Sequence, residues 1–170
     1  MCSRGDIPTA VKAYFFGALF CAFRKIDGGV RPIAVGCILR RVVSKASCMA
    51  LRDKASALLA PRQLGIGVRD GVIAAAHAAR RFLGSCDESE GILKLDFKNA
   101  FNEIDRSAVL KAVYTSVPEL SSYAFASYGA ASILFNGTDR LSSACGVQQG
   151  DPLGPLLFSL TVRPLTSAPL

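Results

Sequence analysis

Two tight-turn signals, Asp27-Gly28-Gly29 and Asn136-Gly137, stand far apart in the chain, each between short apolar runs. Glycine tolerates the positive φ that short hairpin loops demand, so each signal predicts a pair of antiparallel strands. The first pair runs from Leu19 to Ile26 and from Val30 to Val35; the second from Ser132 to Asn136 and from Arg140 to Cys145. Most of what lies between has helical spacing. From Leu39 to Ala60, Val42, Val43, Ala46, Met49, Ala50, Ala55, Leu58 and Leu59 recur at three and four, and Arg40, Arg41, Lys45, Arg52 and Lys54 fill other positions. Pro61 stops that helix, and an Ala-rich helix follows from about Val72 to Leu83. Ile92 to Phe97 alternates apolar and polar residues and predicts a strand ending on Asp96. Asp105 or Ser107 caps a helix running to about Ser116, Pro118 opens another ending near Gly129, and Leu156 begins the last. Hairpin, helices, strand, helices, hairpin and helix make an α+β order rather than alternating βαβ units.

Charge is distributed unevenly along this frame. The chain carries 20 Lys/Arg against 13 Asp/Glu, a net +7. Between Arg24 and Arg81 there are twelve Lys/Arg and three Asp, so this stretch holds +9 and the remainder −2. A basic block beside a slightly acidic remainder fits a polyanion surface with separate chemistry, and equally a solvated basic face. With 51% hydrophobic residues, the composition excludes a disordered tail or a collagen-like repeat.

Six cysteines stand at 2, 21, 37, 48, 86 and 145, with no C-x-x-C pair and a single histidine, His77, which argues against zinc. Cys21, Cys37 and Cys48 lie in apolar or helical runs and read as reduced, buried, small hydrophobes of an intracellular protein. The apolar stretch from Ala13 to Phe23 is about half the ~20 residues of a spanning helix, so no membrane partner is expected. Gly65 to Gly71 is glycine-rich but lacks the spacing of a dinucleotide loop, and no serine sits in G-x-S-x-G. Tyr14, Phe15, Phe16 and Phe20 are expected in the core.

Three segments carry candidate chemistry. They are Arg31-Pro32-Ile33-Ala34-Val35 on the basic hairpin, Lys94 to Asn102 (KLDFKNAFN), and Gly146 to Pro155 (GVQQGDPLGP). Asp96 ends an apolar strand, where it and the Phe97 carbonyl could offer oxygen ligands to a hard cation such as Mg²⁺; a strand-end Asp also simply caps a turn. The third segment, with two Gln beside Gly-Asp-Pro, could line a groove or serve as a plain connector.

Taken in order, RPIAV, DFKNAFN and GVQQGDPLGPLLFSL resemble reverse transcriptases, in particular those of non-LTR retrotransposons and their group II intron relatives, over about residues 17 to 162. The resemblance implies a partial right-hand polymerase fold: a fingers-like basic region over residues 1–90 and an incomplete palm over 91–170. It implies RNA-directed DNA synthesis with an RNA template, a DNA primer and deoxynucleoside triphosphates, and a nuclear or cytoplasmic location. Asp96 matches the first catalytic carboxylate and, with the Phe97 carbonyl, the position that holds Mg²⁺ (or Mn²⁺), in a reaction using two ions about 3.5–4 Å apart. Phe101 matches the aromatic that rejects the ribose 2′-hydroxyl. Lys25, Arg31 and Arg41 resemble the triphosphate and template contacts, and Gln149 and Gly150 the loop packed against the incoming nucleotide.

Two departures accompany the resemblance. The family's paired-carboxylate motif, aromatic-x-Asp-Asp, does not occur: Asp139 and Asp151 are the only aspartates after residue 105, and neither has an acidic neighbour. One carboxylate cannot hold two Mg²⁺ ions, so these 170 residues alone are expected to be inactive. A non-catalytic RNA- or DNA-binding module derived from such an enzyme is the alternative. Gly154, second, stands where many relatives carry Ser.

Overall fold

The computed structural model describes residues 6–26 and 28–167; Asp27 of the expected turn, Cys2 and the end of the chain lie outside them. A short helix, α1 (Thr9–Phe15), leads into β1 (Ala18–Arg24) and β2 (Val30–Gly36). These pair antiparallel from Ala18↔Gly36 to Arg24↔Val30. The turn closes through Lys25 N–H to Gly29 O (2.7 Å), with Gly28 at φ +83°. The second hairpin, β3 (Ser132–Asn136) and β4 (Asp139–Ser143), turns through Gly137 at φ +61°. β3 joins β1 in parallel at Ala18↔Leu134 and Leu19↔Phe135, giving one four-stranded sheet in the order β2-β1-β3-β4.

The helices are α2 (Ile38–Ala50), α3 (Arg52–Leu59), α4 (Gly71–Leu83), α5 (Ala100–Glu103), α6 (Arg106–Ser116), α7 (Ser121–Tyr128) and α8 (Gly154–Ser167). The Asp105 carboxylate caps α6 by accepting from Ala108 N–H (2.7 Å). Arg106, Val109 and Val113, spaced along one face of α6, are buried. With Leu156, Leu157 and Leu160 of α8, Tyr123 and Tyr128 of α7, and Phe16, the two valines form the main core. The α+β class is therefore that of the structure.

Three expectations about the helices and strands are corrected. The helix expected from Leu39 to Ala60 is two helices, bent at Leu51 (φ −95°, ψ 1°), which turns Leu51, Ala55 and Leu59 into the core. The inward face of α2 is also only partly apolar: Val43 and Cys48 pack against the core beside two polar residues. Arg40 and Ser44 are buried, while Ile38 (76% exposed), Val42 and Met49 (69%) face outward. The strand expected from Ile92 to Phe97 is irregular, exposed chain. Alternation predicts faces but supplies no hydrogen-bonding neighbour, and the four-stranded sheet pairs none of these residues.

Of the aromatics expected in the core, Phe16 is buried, whereas Phe15 and Phe20 are half-buried and Tyr14 is exposed. The described cysteines are free, but Cys37 is exposed rather than buried; its Sγ accepts from Arg40 N–H at the start of α2 (3.5 Å). Cys48 is half-buried, and burial together with the Asp151 charge pushes its thiol up, against Lys45. Since the thiolate is the nucleophile, iodoacetamide at pH 8 is expected to label exposed Cys37 and Cys145 roughly tenfold faster than Cys48. Peptide mapping of a labelling time course checks this order.

Candidate active-site cleft

The loop 144–153 is built by glycine geometry. Gly146 sits at φ +67° and donates N–H to Ile104 O (3.1 Å), and Val147 N–H donates to Phe101 O (2.7 Å). These bonds fasten the short helix α5 beneath the loop. Gly150, at φ +116°, lies so close to β2 that a Cβ there would stand 2.6 Å from Ala34 O. Ala34 N–H meanwhile donates to Gln149 O (2.7 Å), so the loop borrows a hydrogen bond from the sheet's edge strand. Asp151 then closes a turn, its Oδ1 accepting from Leu153 N–H (3.0 Å).

This folding opens a cleft of about 580 Å³ lined by Arg31, Phe101, Gln148, Gln149, Gly150, Asp151, Pro152 and Pro155. Phe101 is held by stacking on Phe158 (ring centroids 5.2 Å apart, planes at 23°). Gly154 faces the same ring. A Cβ on it would meet Phe101 carbons and Gln148 O at ordinary contact distances of 3.5–3.6 Å. Gly154→Ser is therefore expected to change stability by no more than about 0.5 kcal/mol, as checked by urea denaturation.

Of the residues singled out in sequence, Arg31, Phe101, Gln149 and Gly150 meet at this cleft. Arg41 is exposed and lines an adjoining groove of about 620 Å³ with Ile38, Val42, Lys45, Ala46 and Met49; Pro152 is common to both. Lys25 is exposed at the end of β1. Asp96 and Phe97 lie in the exposed irregular segment and do not line the cleft.

Beneath the loop lies a polar cluster that sequence reasoning missed. Arg40 is 1% exposed. Its guanidinium donates to Asp151 Oδ2 (2.9 Å), to Gln148 Oε1 (2.6 Å) and to the Phe16 carbonyl. Tyr128 donates its hydroxyl to the same Asp151 oxygen (2.6 Å). Gln148 Nε2 in turn donates to Phe16 O and Ser132 Oγ, both at 3.2 Å. Burial opposes the charge on Arg40, but the Asp151 carboxylate facing it favours the charged form, and the guanidinium is held above its ordinary value. Burial, reinforced by the Asp151 charge, holds the Tyr128 phenol far above its usual range, so it stays neutral and donates. The Tyr128 ring also lies 5.4 Å from the guanidinium carbons of both Arg40 and Arg106. The available signal was the adjacency of Gln148 and Gln149: in an extended loop neighbours point opposite ways, so one of the two must face inward.

The fit to a metal is incomplete. Asp96 and the Phe97 carbonyl could supply two oxygens, a partial set to which water and substrate oxygens would have to add the remaining Mg²⁺ ligands. Among the described residues, no three His, Cys, Asp or Glu side chains cluster.

With this geometry in place, comparison with known proteins identifies the lineage. The family described as reverse transcriptase (RNA-dependent DNA polymerase) matches residues 23–168, and the chain belongs to it. It is 32% identical over 162 residues to the retrotransposable element SLACS 132 kDa protein of Trypanosoma brucei gambiense, covering 91% of this chain and 13% of that protein. It is 26% identical over 145 residues to the Retrovirus-related Pol polyprotein from type-1 retrotransposable element R2 of Popillia japonica, covering 79% of this chain and 20% of that one. These relatives support a reverse transcriptase domain of the non-LTR retrotransposon type. The chain thus spans a fifth or less of each relative's length. No described helix is long and apolar enough to cross a membrane.

Proposed function

We propose that this chain forms the fingers-like part and part of the palm of an RNA-directed DNA polymerase, divided near residue 90, and that the cleft beside Gln149 and Gly150 receives the incoming deoxynucleoside triphosphate. The observation that carries this is the convergence of Arg31, Phe101, Gln149 and Gly150, distant in sequence, on one cleft. Arg31 offers positive charge to a triphosphate at one side, with Lys25 and Arg41 extending the basic surface toward triphosphate and RNA template. Phe101, braced by Phe158, offers a flat, rigid wall against which a deoxyribose fits and a 2′-hydroxyl collides. Gly150 lets the loop pack directly on Ala34 of β2, which holds its backbone at the wall of the cleft.

Asp96 and the Phe97 carbonyl are in this reading the chain's contribution to binding Mg²⁺ (or Mn²⁺). A two-ion reaction needs carboxylates beyond Asp96, so residues 1–170 by themselves are expected to extend no primer; extension by them that Asp96→Ala abolishes would overturn this. In a protein that carries this domain and extends a DNA primer on RNA, Asp96→Ala is expected to eliminate extension, and extension that survives removes Asp96 from its role. Phe101→Val in the same protein is expected to raise ribonucleotide incorporation, by about tenfold or more if the ring's steric exclusion is worth ~1.4 kcal/mol or more. Unchanged sugar selectivity removes the ring from that task.

The exposure of Asp96 and the absence of an acidic cluster among the described residues favour a second reading, a non-catalytic RNA- or DNA-binding module. RNA affinity that falls steeply with salt, in a protein that never extends a primer, is its expected signature.

A further inference from the structure

We infer that Arg40 and Tyr128, acting through Asp151, form a positioning device that sets the Gln149–Gly150 loop over the cleft, neither of the two lining the cleft itself. The inference rests on the reading of that cleft as a nucleotide site. Gln149 and Gly150 have no apolar side chain to anchor them. The residues on either side, Gln148 and Asp151, are buried and both end on the one Arg40 guanidinium, at 2.6 and 2.9 Å. A planar guanidinium presents its donors in a fixed fork, so it dictates the spacing of the two residues that bracket the loop.

The other end of the loop is held in the same way. Arg106 donates to Gly146 O (2.8 Å) and Cys145 O (3.2 Å). Its guanidinium packs on the Tyr128 ring that also packs on Arg40. Tyr128 thus links both grips, and its hydroxyl fixes the Asp151 carboxylate. Arg40 is also next to Arg41 in α2, so one stretch of backbone carries both the loop's anchor and a cation of the adjoining groove. The arrangement is not an economical way to gain stability. A buried ion pair recovers little of its desolvation cost, and Arg40 Nε has no hydrogen-bond partner among the described residues. What the fork provides over an apolar side chain is geometry.

Tyr128→Phe removes only the hydroxyl on Asp151 and keeps the ring between the two guanidinium groups. Tyr123→Phe is the matched control: it deletes another buried hydroxyl, one that contacts Ser44 (3.1 Å) and the Arg40 carbonyl (3.2 Å) but no loop atom. In residues 1–170, hydrogen exchange of the amides from Val147 to Leu153 is expected to quicken about tenfold in Tyr128→Phe, with α6 amides unchanged, and to stay put in Tyr123→Phe. Arg40→Lys, which keeps the charge and loses the fork, gives a second variant with the same expected pattern. In a primer-extending protein, Tyr128→Phe is expected to raise KM for the nucleotide about tenfold with kcat within about twofold, and Tyr123→Phe to move neither. Equal effects from Tyr128→Phe and Tyr123→Phe, or no loop effect from Tyr128→Phe and Arg40→Lys, would overturn the positioning role. If instead Gln149→Ala leaves the nucleotide KM unchanged, the nucleotide reading of the cleft fails, while loop exchange still judges Arg40 on its own.

Discussion

Arg40→Ala is expected to lower the free energy of unfolding by about 3–5 kcal/mol, the range for breaking a buried ion pair from one side. The substitution strips Asp151 of its cation in a site from which water is excluded, and takes a donor from the Phe16 carbonyl and from Gln148 Oε1. Tyr128 and Leu153 N–H still bond the carboxylate, so it is left hydrogen-bonded but electrostatically uncompensated. At this chain length each kcal/mol moves Tm by about 2–4 °C, so melting falls by roughly 10 °C. Replacing both partners, as in Arg40→Met with Asp151→Leu, removes the desolvation cost along with the attraction and is expected to lose less than Arg40→Ala alone. Urea denaturation of the three proteins checks the ordering. A loss below about 1 kcal/mol for Arg40→Ala is what a surface ion pair would give, and would show that water reaches the cluster.

Gly146→Ala is expected to cost more than about 3 kcal/mol, combining left-handed backbone with overpacking. Gly146 and Gly137 have nearly the same φ, +67° and +61°, but different surroundings. A Cβ on Gly137 meets nothing within 4 Å, whereas one on Gly146 would overlap the Asn102 backbone. Gly137→Ala therefore pays only the left-handed conformation, about 1–2 kcal/mol. Relief of the Gly146 overlap requires moving α5 away from the loop, which breaks Gly146 N–H to Ile104 O and displaces Phe101 from the cleft. Thermal melts of the two variants separate the terms. Equal losses would mean that the loop moves freely off α5.

Much of the local structure was legible because it depends on neighbours in sequence. The glycine turns at Gly28 and Gly137 specify hairpins through their own φ, Asp105 caps α6 with its own side chain, and Pro118 opens the 3-10 turn that leads into α7. The motif residues Arg31, Phe101, Gln149 and Gly150 could likewise be picked out by type and order. That they share a cleft could not: their approach follows from the hydrogen bond between Ala34 and Gln149 and from the Phe101–Val147 bond, which join distant segments. The alternation from Ile92 to Phe97 was misleading for a related reason. Periodicity describes which residues share a face, but a strand exists only where another backbone offers its ladder.

The hydrophobic pattern of α2 shows most clearly where sequence stops. Counting apolar residues puts Val42 and Met49 inside and Arg40 outside, and the structure reverses this. The preference of an isolated helix is set by transfer free energies, which disfavour a buried guanidinium by several kcal/mol. That preference changes sign only when specific acceptors meet the charge, and Gln148 and Asp151 come from 108 and 111 residues further along the chain. By itself, then, the sequence determined the hairpin turns, the α6 cap, the α+β class and the family of this protein. Which face of α2 turns inward, and which residues hold the cleft loop, was decided only by the tertiary structure, because burying a charge is favourable only where its partners have already been brought to it.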